Sequence, residues 1–192
     1  MKLADNLLDS YRKQFAYYRH LGQATIDQLS DEELHRDDEA GSNSVAVIVK
    51  HLVGNMRSRW TDFLTTDGEK PWRARDEEFV DDFDDRPALQ AAWNSGWEVL
   101  EDVLATLKPE ELTSIIYIRN EGHTVAEAIN RQLAHYSYHV GQIVLLGKQL
   151  RGSEWKSLSI PRGDSERYNR KMFGEERGRR HFTDDWLPER KS

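Results

Sequence analysis

Hydrophobic positions in this chain fall into four long runs at helical spacing, separated by polar connections of unequal length. Leu3, Leu7, Leu8, Tyr11, Phe15, Tyr18, Gly22, Ile26 and Leu29 predict a first helix over 2–29. Behind Ser44, a capping residue, Val45, Ile48, Val49, Leu52, Val53, Met56, Trp60 and Phe63 predict a second over 44–64. Pro87 suits the first turn of a third helix over 87–107, whose buried face is Leu89, Ala92, Trp93, Gly96, Val99, Leu100, Val103 and Leu107. Lys108-Pro109 stops it. The fourth, over 124–150, opens on Thr124 with Glu127 three residues later, the pattern of a reciprocal capping box.

The connections carry information of their own. Ser30 to Leu34 reads as a link with one helical turn, and Asp37 to Asn43 as a charged, glycine-containing loop. Thr65 to Arg86 is longer than a simple turn needs and ends in an acidic run, the mark of a functional connection or a lid. Ser114 to Arg119 is short and β-branched, which predicts a brief extended segment. Together these signs predict an all-α, four-helix bundle over 1–152. Residues 153–192 are predicted to pack on the same domain, as an extended strap carrying Trp155, Leu158, Ile160 and Pro161, followed by a short helix from Asp164 or Ser165 to Phe173.

Composition narrows the chemistry. The 192 residues suffice for one domain with a substantial core, and no apolar run is long enough to cross a bilayer. A net charge of −7 works against binding the nucleic-acid backbone. The charged start MKLADNLLDSYRKQF lacks the apolar stretch of a signal peptide, so the expected location is the cytoplasm. With no cysteine, disulfides, thiolate metal sites and a cysteine nucleophile are excluded.

Histidine supplies the candidate site. His135 and His139 stand four apart on the fourth helix, one turn above the other, so both rings can reach one ion. With its apolar stripe centred near Leu133 and Val140, they lie roughly 100° to one side. His51 is offset by a similar angle from the stripe of the second helix, which places all three at the flank of the core. Tyr136 stands where the HExxH motif has its glutamate base, so that protease mechanism is not supported.

VIVKHLVGNMRSRW and AINRQLAHYSYHVGQIVLLGKQ, with the downstream WKSLSIPRGDSERYN, resemble the DinB-like and YfiT-like superfamily of metal-binding four-helix bundles, to which bacillithiol transferases belong. The resemblance covers nearly the whole chain. It implies one divalent metal ion held by His51, His135 and His139, with zinc or nickel ahead of iron or manganese, and a homodimer. It does not by itself imply the reaction; because relatives include thiol S-transferases, the first reading on family grounds is a metal-dependent transferase moving a low-molecular-weight thiol to a small electrophile.

Two other readings stand beside that one: a metal-dependent hydrolase or isomerase of a small molecule, and a non-catalytic metal-binding dimer. Glu121 or Glu127 is the candidate base for hydrolysis, and Asn55 and Gln142 are candidates for orienting substrate. Arg119, Arg131 and Arg162 are candidates for gripping a carboxylate. Each also has a plain role open to it, as a cap, a flank residue or a surface ion pair.

Overall fold

The computed structural model describes residues 2–37 and 41–187, so Asp38 to Ala40 of the expected loop and Pro188 to Ser192 of the tail lie outside the described residues. The described residues are mostly helical, with one small two-stranded sheet among them. Its long helices are α1 (Leu3–Ile26), α3 (Val45–Trp60), α4 (Arg86–Thr106) and α5 (Val125–Arg151); α2 (Asp31–His35) and α6 (Ser165–Phe173) are short. The long helices meet in a ring: α1 packs on α5 and α4, and α3 packs on α4 and α5.

Local chemistry sets the helix starts. The Ser44 hydroxyl accepts from the Val47 N–H, and Asp85 accepts from Ala88 with Pro87 in the first turn. At α5 the expected box is complete: Glu127 N–H donates to the Thr124 hydroxyl (3.2 Å), and Thr124 N–H donates to the Glu127 carboxylate (2.7 Å). Ser30 and Glu33 form the same device at α2, the single turn expected there. Two ends differ from expectation. Helix α1 stops at Ile26, although Leu29 is still buried beyond it. Helix α3 stops at Trp60 and not near Leu64, because Asp62 turns the backbone left-handed (φ 46°) and its carbonyl takes the Thr65 and Thr66 N–H groups.

The core is aromatic at its centre. Trp60, Trp93, Trp97, Tyr136 and Phe15 are all fully buried. Trp60 Nε1 donates to the Tyr136 hydroxyl (3.0 Å), which donates to Asn55 Oδ1 (3.0 Å), so these polar groups are satisfied inside the cluster, whereas the indole N–H groups of Trp93 and Trp97 are buried without a partner. Helix α3 is buried nearly all round, from Val45 to Trp60, because it is covered by α4 and α5 and also by α2 and a 3₁₀ turn at Asp76–Phe79.

The segment Ser114 to Arg119 is extended as expected, but it does not stand alone. Strand β1 (Ile115–Ile118) pairs antiparallel with β2 (Glu121–Thr124), with Ile118 opposite Glu121. The two turn residues, Arg119 and Asn120, have φ of 55° and 62°, the left-handed pair that a two-residue hairpin turn needs. Asp67 caps both, its two carboxylate oxygens accepting from their backbone N–H groups at 2.8 Å each. Gly68 N–H donates to Tyr117 O (2.8 Å), so the connection after α3 is tied to the hairpin.

The strap touches the turn that follows α1, and α5 itself. Lys156 N–H donates to Gln28 Oε1 (2.8 Å), and Gln28 Nε2 donates back to Lys156 O (3.2 Å). The Trp155 ring lies against Gly147, where a Cβ would stand 3.0 Å from it. Trp155, Leu158 and Ile160 are half-buried, while Pro161 is exposed, contrary to the expectation of a packed run. Helix α6 spans the expected residues and has no buried residue. Beyond it, His181 reaches Ser10 (3.2 Å) and Asp184 pairs with Lys13 (3.0 Å), returning the chain to α1.

Thr124→Ala removes one side of the α5 box and leaves the Glu127 N–H without its cap. We expect a loss of about 1 kcal/mol in urea unfolding at unchanged m-value.

Candidate metal centre

The helices bring the three predicted histidines together. His51 on α3 and His135 and His139 on α5 each offer a ring nitrogen, and these atoms all lie within 4.8 Å of one another. The nitrogens that face one another are Nε2 atoms: His139 to His135 is 3.1 Å and His51 to His135 is 3.4 Å. The exposure differs from expectation. His51 is buried, and only His135 and His139 keep the half-buried position of a flank residue. Leu133 is half-buried too, while Gln132 joins Tyr136, Val140, Ile143 and Gly147 on the covered face. The stripe of α5 is thus turned toward the histidines.

The cover over His51 comes from the long connection after α3. Glu78, in the 3₁₀ turn, accepts from His51 Nδ1 (2.9 Å), and Phe79 stacks on the His51 ring at 5.1 Å. Arg73 grips the same carboxylate with two bonds, Nε to Oε1 (2.7 Å) and Nη2 to Oε2 (2.9 Å). The side chains of Arg73 and Glu78 are both buried, so each charge would be costly without the other. Glu69 extends the chain of charges, meeting Arg59 (3.1 Å), Arg73 (3.3 Å) and Arg119 (3.1 Å). Burial alone would push the Glu78 carboxyl up, but bonds from His51 and Arg73 hold it below the ordinary range. The connection can come this close only because residue 54 is glycine: a Cβ there would stand 2.3 Å from Glu78 Oε1 and 2.6 Å from its carboxyl carbon.

These partners decide which ring nitrogen carries the proton. A carboxylate only accepts, so His51 Nδ1 is the donor and its Nε2 keeps a bare lone pair. Gln142 Oε1 likewise accepts from His139 Nδ1 (2.8 Å), leaving the His139 Nε2 bare. Two lone pairs then face the Nε2 of His135, which can offer one proton at most. That donor set fits a cation and is poorly satisfied by the imidazoles alone. Protonating His135 or His139 is not the remedy. Burial pushes His135 down to about 3, helped by the charges of its histidine neighbours and of Arg59 and Arg73, and burial also lowers His139.

The other candidates are not brought to this centre as expected. Asn55 is a buried partner of Tyr136, and Gln142 holds the His139 ring. Glu127 is spent on its cap, and Glu121 is exposed on β2 with its carboxylate 3.9 Å from His123. Arg119 pairs with Glu69, Arg131 contacts His123 (3.4 Å), and Arg162 is exposed in the turn before α6. Sequence reasoning missed Glu78, Arg73, Phe79 and Gln132. The unusual length of the connection was the one signal for the first three, and nothing in it distinguishes Glu78 from its acidic neighbours.

The model of the family described as Protein of unknown function (DUF1572) matches residues 2–164. The chain belongs to that family. No curated protein and no solved structure matches it. The DUF1572 match spans all three histidines, the connection that carries Glu78, and the strap as far as the start of α6.

Two outcomes test this geometry in metal-free protein. Long-range ¹H–¹⁵N spectra should show His51 and His139 protonated at Nδ1, the minor form in free histidine. Gly54→Ala, by displacing Glu78, should abolish that signature for His51 alone. The second outcome concerns pH. His135 is neutral when folded down to about 3, whereas the unfolded ring takes a proton near 6.5. Below pH 6.5 the unfolded state therefore binds more protons, and stability present above that pH is lost as pH falls toward 3. Urea titrations with chelator at pH 7 and pH 5 should show this loss, and His135→Ala should reduce it.

Proposed function

We propose that this chain is a divalent-metal protein of the DinB-like and YfiT-like superfamily, built as a four-helix bundle. In this reading it transfers a low-molecular-weight thiol to a small electrophile. The observation that carries the proposal is the convergence of three Nε2 atoms, two of them with their Nδ1–H committed elsewhere. His51, His135 and His139 would hold the ion, and imidazole ligands suit zinc or nickel, with iron or manganese next. Three protein ligands, with no fourth His, Asp or Glu grouped with them among the described residues, match the pattern that leaves a position for substrate. A bound divalent ion supplies Lewis acidity, which lowers the pKa of a thiol or water that it coordinates.

The chain's own residues supply orientation. Glu78 and Gln142 keep the Nε2 lone pairs of His51 and His139 available, and Arg73 keeps Glu78 ionised and fixed. Phe79 on His51 and Tyr138 beside His139 (5.1 Å) put aromatic surface at the rim, and both rings are exposed. Such a rim suits an apolar electrophile. The sulfur must come from a co-substrate, since the chain has no cysteine.

Thiol transfer stands ahead of hydrolysis or isomerisation because Glu121 and Glu127 are engaged away from the centre, and Glu78 is held by Arg73 and His51. A non-catalytic metal-binding dimer would be expected to close the coordination with a protein ligand. A cytoplasmic homodimer completes the proposal, with the exposed Tyr138 and Leu145 of α5 as apolar surface for a second copy.

Elemental analysis of untagged protein should find one divalent ion per chain. His135→Ala and His139→Ala should each abolish it while costing the apo fold less than Leu100→Ala, a core deletion worth about 2–5 kcal/mol. The loaded protein should consume thiol with some member of an electrophile panel and lose that activity in both variants. Unchanged metal content in the variants would sink the proposal.

A further inference from the structure

Two of the three histidines have a visible partner for the nitrogen that faces away from the centre. The third does not. His135 Nδ1 is buried without a hydrogen bond, and so is Gln132 Oε1, one turn before it on the same helix. Helical side chains lean toward the N-terminus, so the His135 ring lies over the turn that carries Gln132. Gln132 is 3% exposed, and an amide carbonyl at that depth without a donor is costly.

A third atom of this kind belongs to the same neighbourhood. Arg59 Nε is buried without a partner, although its Nη1 atom is used by Glu69 and by Gly68 O. The pairing of α3 with α5 places it. His51 meets His139, with ring centroids 4.8 Å apart, as well as His135, and four residues on Asn55 meets Tyr136, three residues back from His139. The helices therefore run antiparallel, and the next step of four along α3 reaches Arg59 as α5 steps back to Gln132. The Arg59 charge is felt at His135, which agrees with that register.

We propose that Gln132 is the positioning residue for His135, its side-chain carbonyl receiving the Nδ1–H through one enclosed water that Arg59 Nε also donates to. The hydrogen-bond count closes. With His135 Nε2 turned to the ion, its proton sits on Nδ1, giving two donors, Arg59 and His135, and one acceptor, Gln132. A water accepts two bonds and gives one, which satisfies all three. Each ligand ring then has its own outer holder: Glu78 for His51, Gln142 for His139 and Gln132 for His135. The inference rests on the metal reading above and assigns a role to a residue that this reading does not need.

The test compares Gln132→Leu, Gln132→Glu and the unaltered chain, full length, with Zn(II) as probe. Affinity is read by competition with a chelating dye, and the His135 Nδ1–H by ¹H–¹⁵N spectra of the Zn(II)-loaded protein. The unaltered chain should show that proton protected from exchange. Gln132→Leu should bind Zn(II) about 10–100-fold more weakly and lose the protected signal. Its apo unfolding midpoint should stay near the original, because an apolar residue of similar size removes the orphaned carbonyl. Gln132→Glu keeps an acceptor and should restore both the signal and most of the affinity. If Gln132→Leu binds as tightly as the original with its Nδ1–H still protected, the assignment falls and the three-histidine site stands. If the unaltered chain takes up no Zn(II), both fall. A Leu variant that loses affinity and is not rescued by Glu also overturns it, since packing alone would then explain the loss.

Discussion

The hydrogen bond between His51 Nδ1 and the Glu78 carboxylate is the contact on which the centre depends. It sets the tautomer of a buried ring and thereby decides that Nε2 faces its neighbours as a lone pair. Everything around it serves to make a buried carboxylate tolerable at that point. Arg73 neutralises it with two bonds, Gly54 makes room for it, and Phe79 covers the ring that it holds. A charge taken out of water costs several kcal/mol even after relaxation, so this arrangement contributes orientation more than net stability.

That cost also explains the extended charge network. Arg59, Glu69, Arg73 and Glu78 alternate in sign from the end of α3 to the 3₁₀ turn, and Arg119 brings the hairpin into the same line. Asp67 and Gly68 add backbone bonds from the connection to the hairpin. The connection is therefore anchored at its start by β1 and its turn, and near its end by Lys50, which holds Val80 O and Asp82. Between those anchors Glu78 has little freedom to leave.

Much of this was legible in the sequence wherever local rules decide the outcome. The caps at Ser44 and Thr124 are local chemistry, and the helix spans follow from hydrophobic spacing and from Pro87 and Pro109. The three histidines were legible because two share a helix face and the third fits a recognisable motif. Glu78 was not, since its role arises from a chain path with no periodicity, past a glycine whose reason lies 24 residues away. The end of α3 depended on one left-handed residue, Asp62, which no pattern announces. Gln132 was missed for a related reason: the stripe was drawn through Leu133, and the structure turns it toward Gln132. The pairing of β1 with β2 escaped because EGHT lacks the apolar alternation of a strand, and two left-handed turn residues supply its geometry instead.

The separation of these partners along the chain carries a kinetic consequence. His51 and Glu78 are 27 residues apart, whereas His51 and His135 are 84 apart. On loop-closure entropy alone, the shorter link forms at about 1 kcal/mol less cost than the longer one. The ring on α3 can thus acquire its carboxylate partner while α5 is still unattached, so that the first imidazole is already aimed when the other two arrive. Docking of the last long helix is then the event that brings the three histidines together, and an ion captured there would act as a clasp on a finished fold, with no part in guiding its assembly.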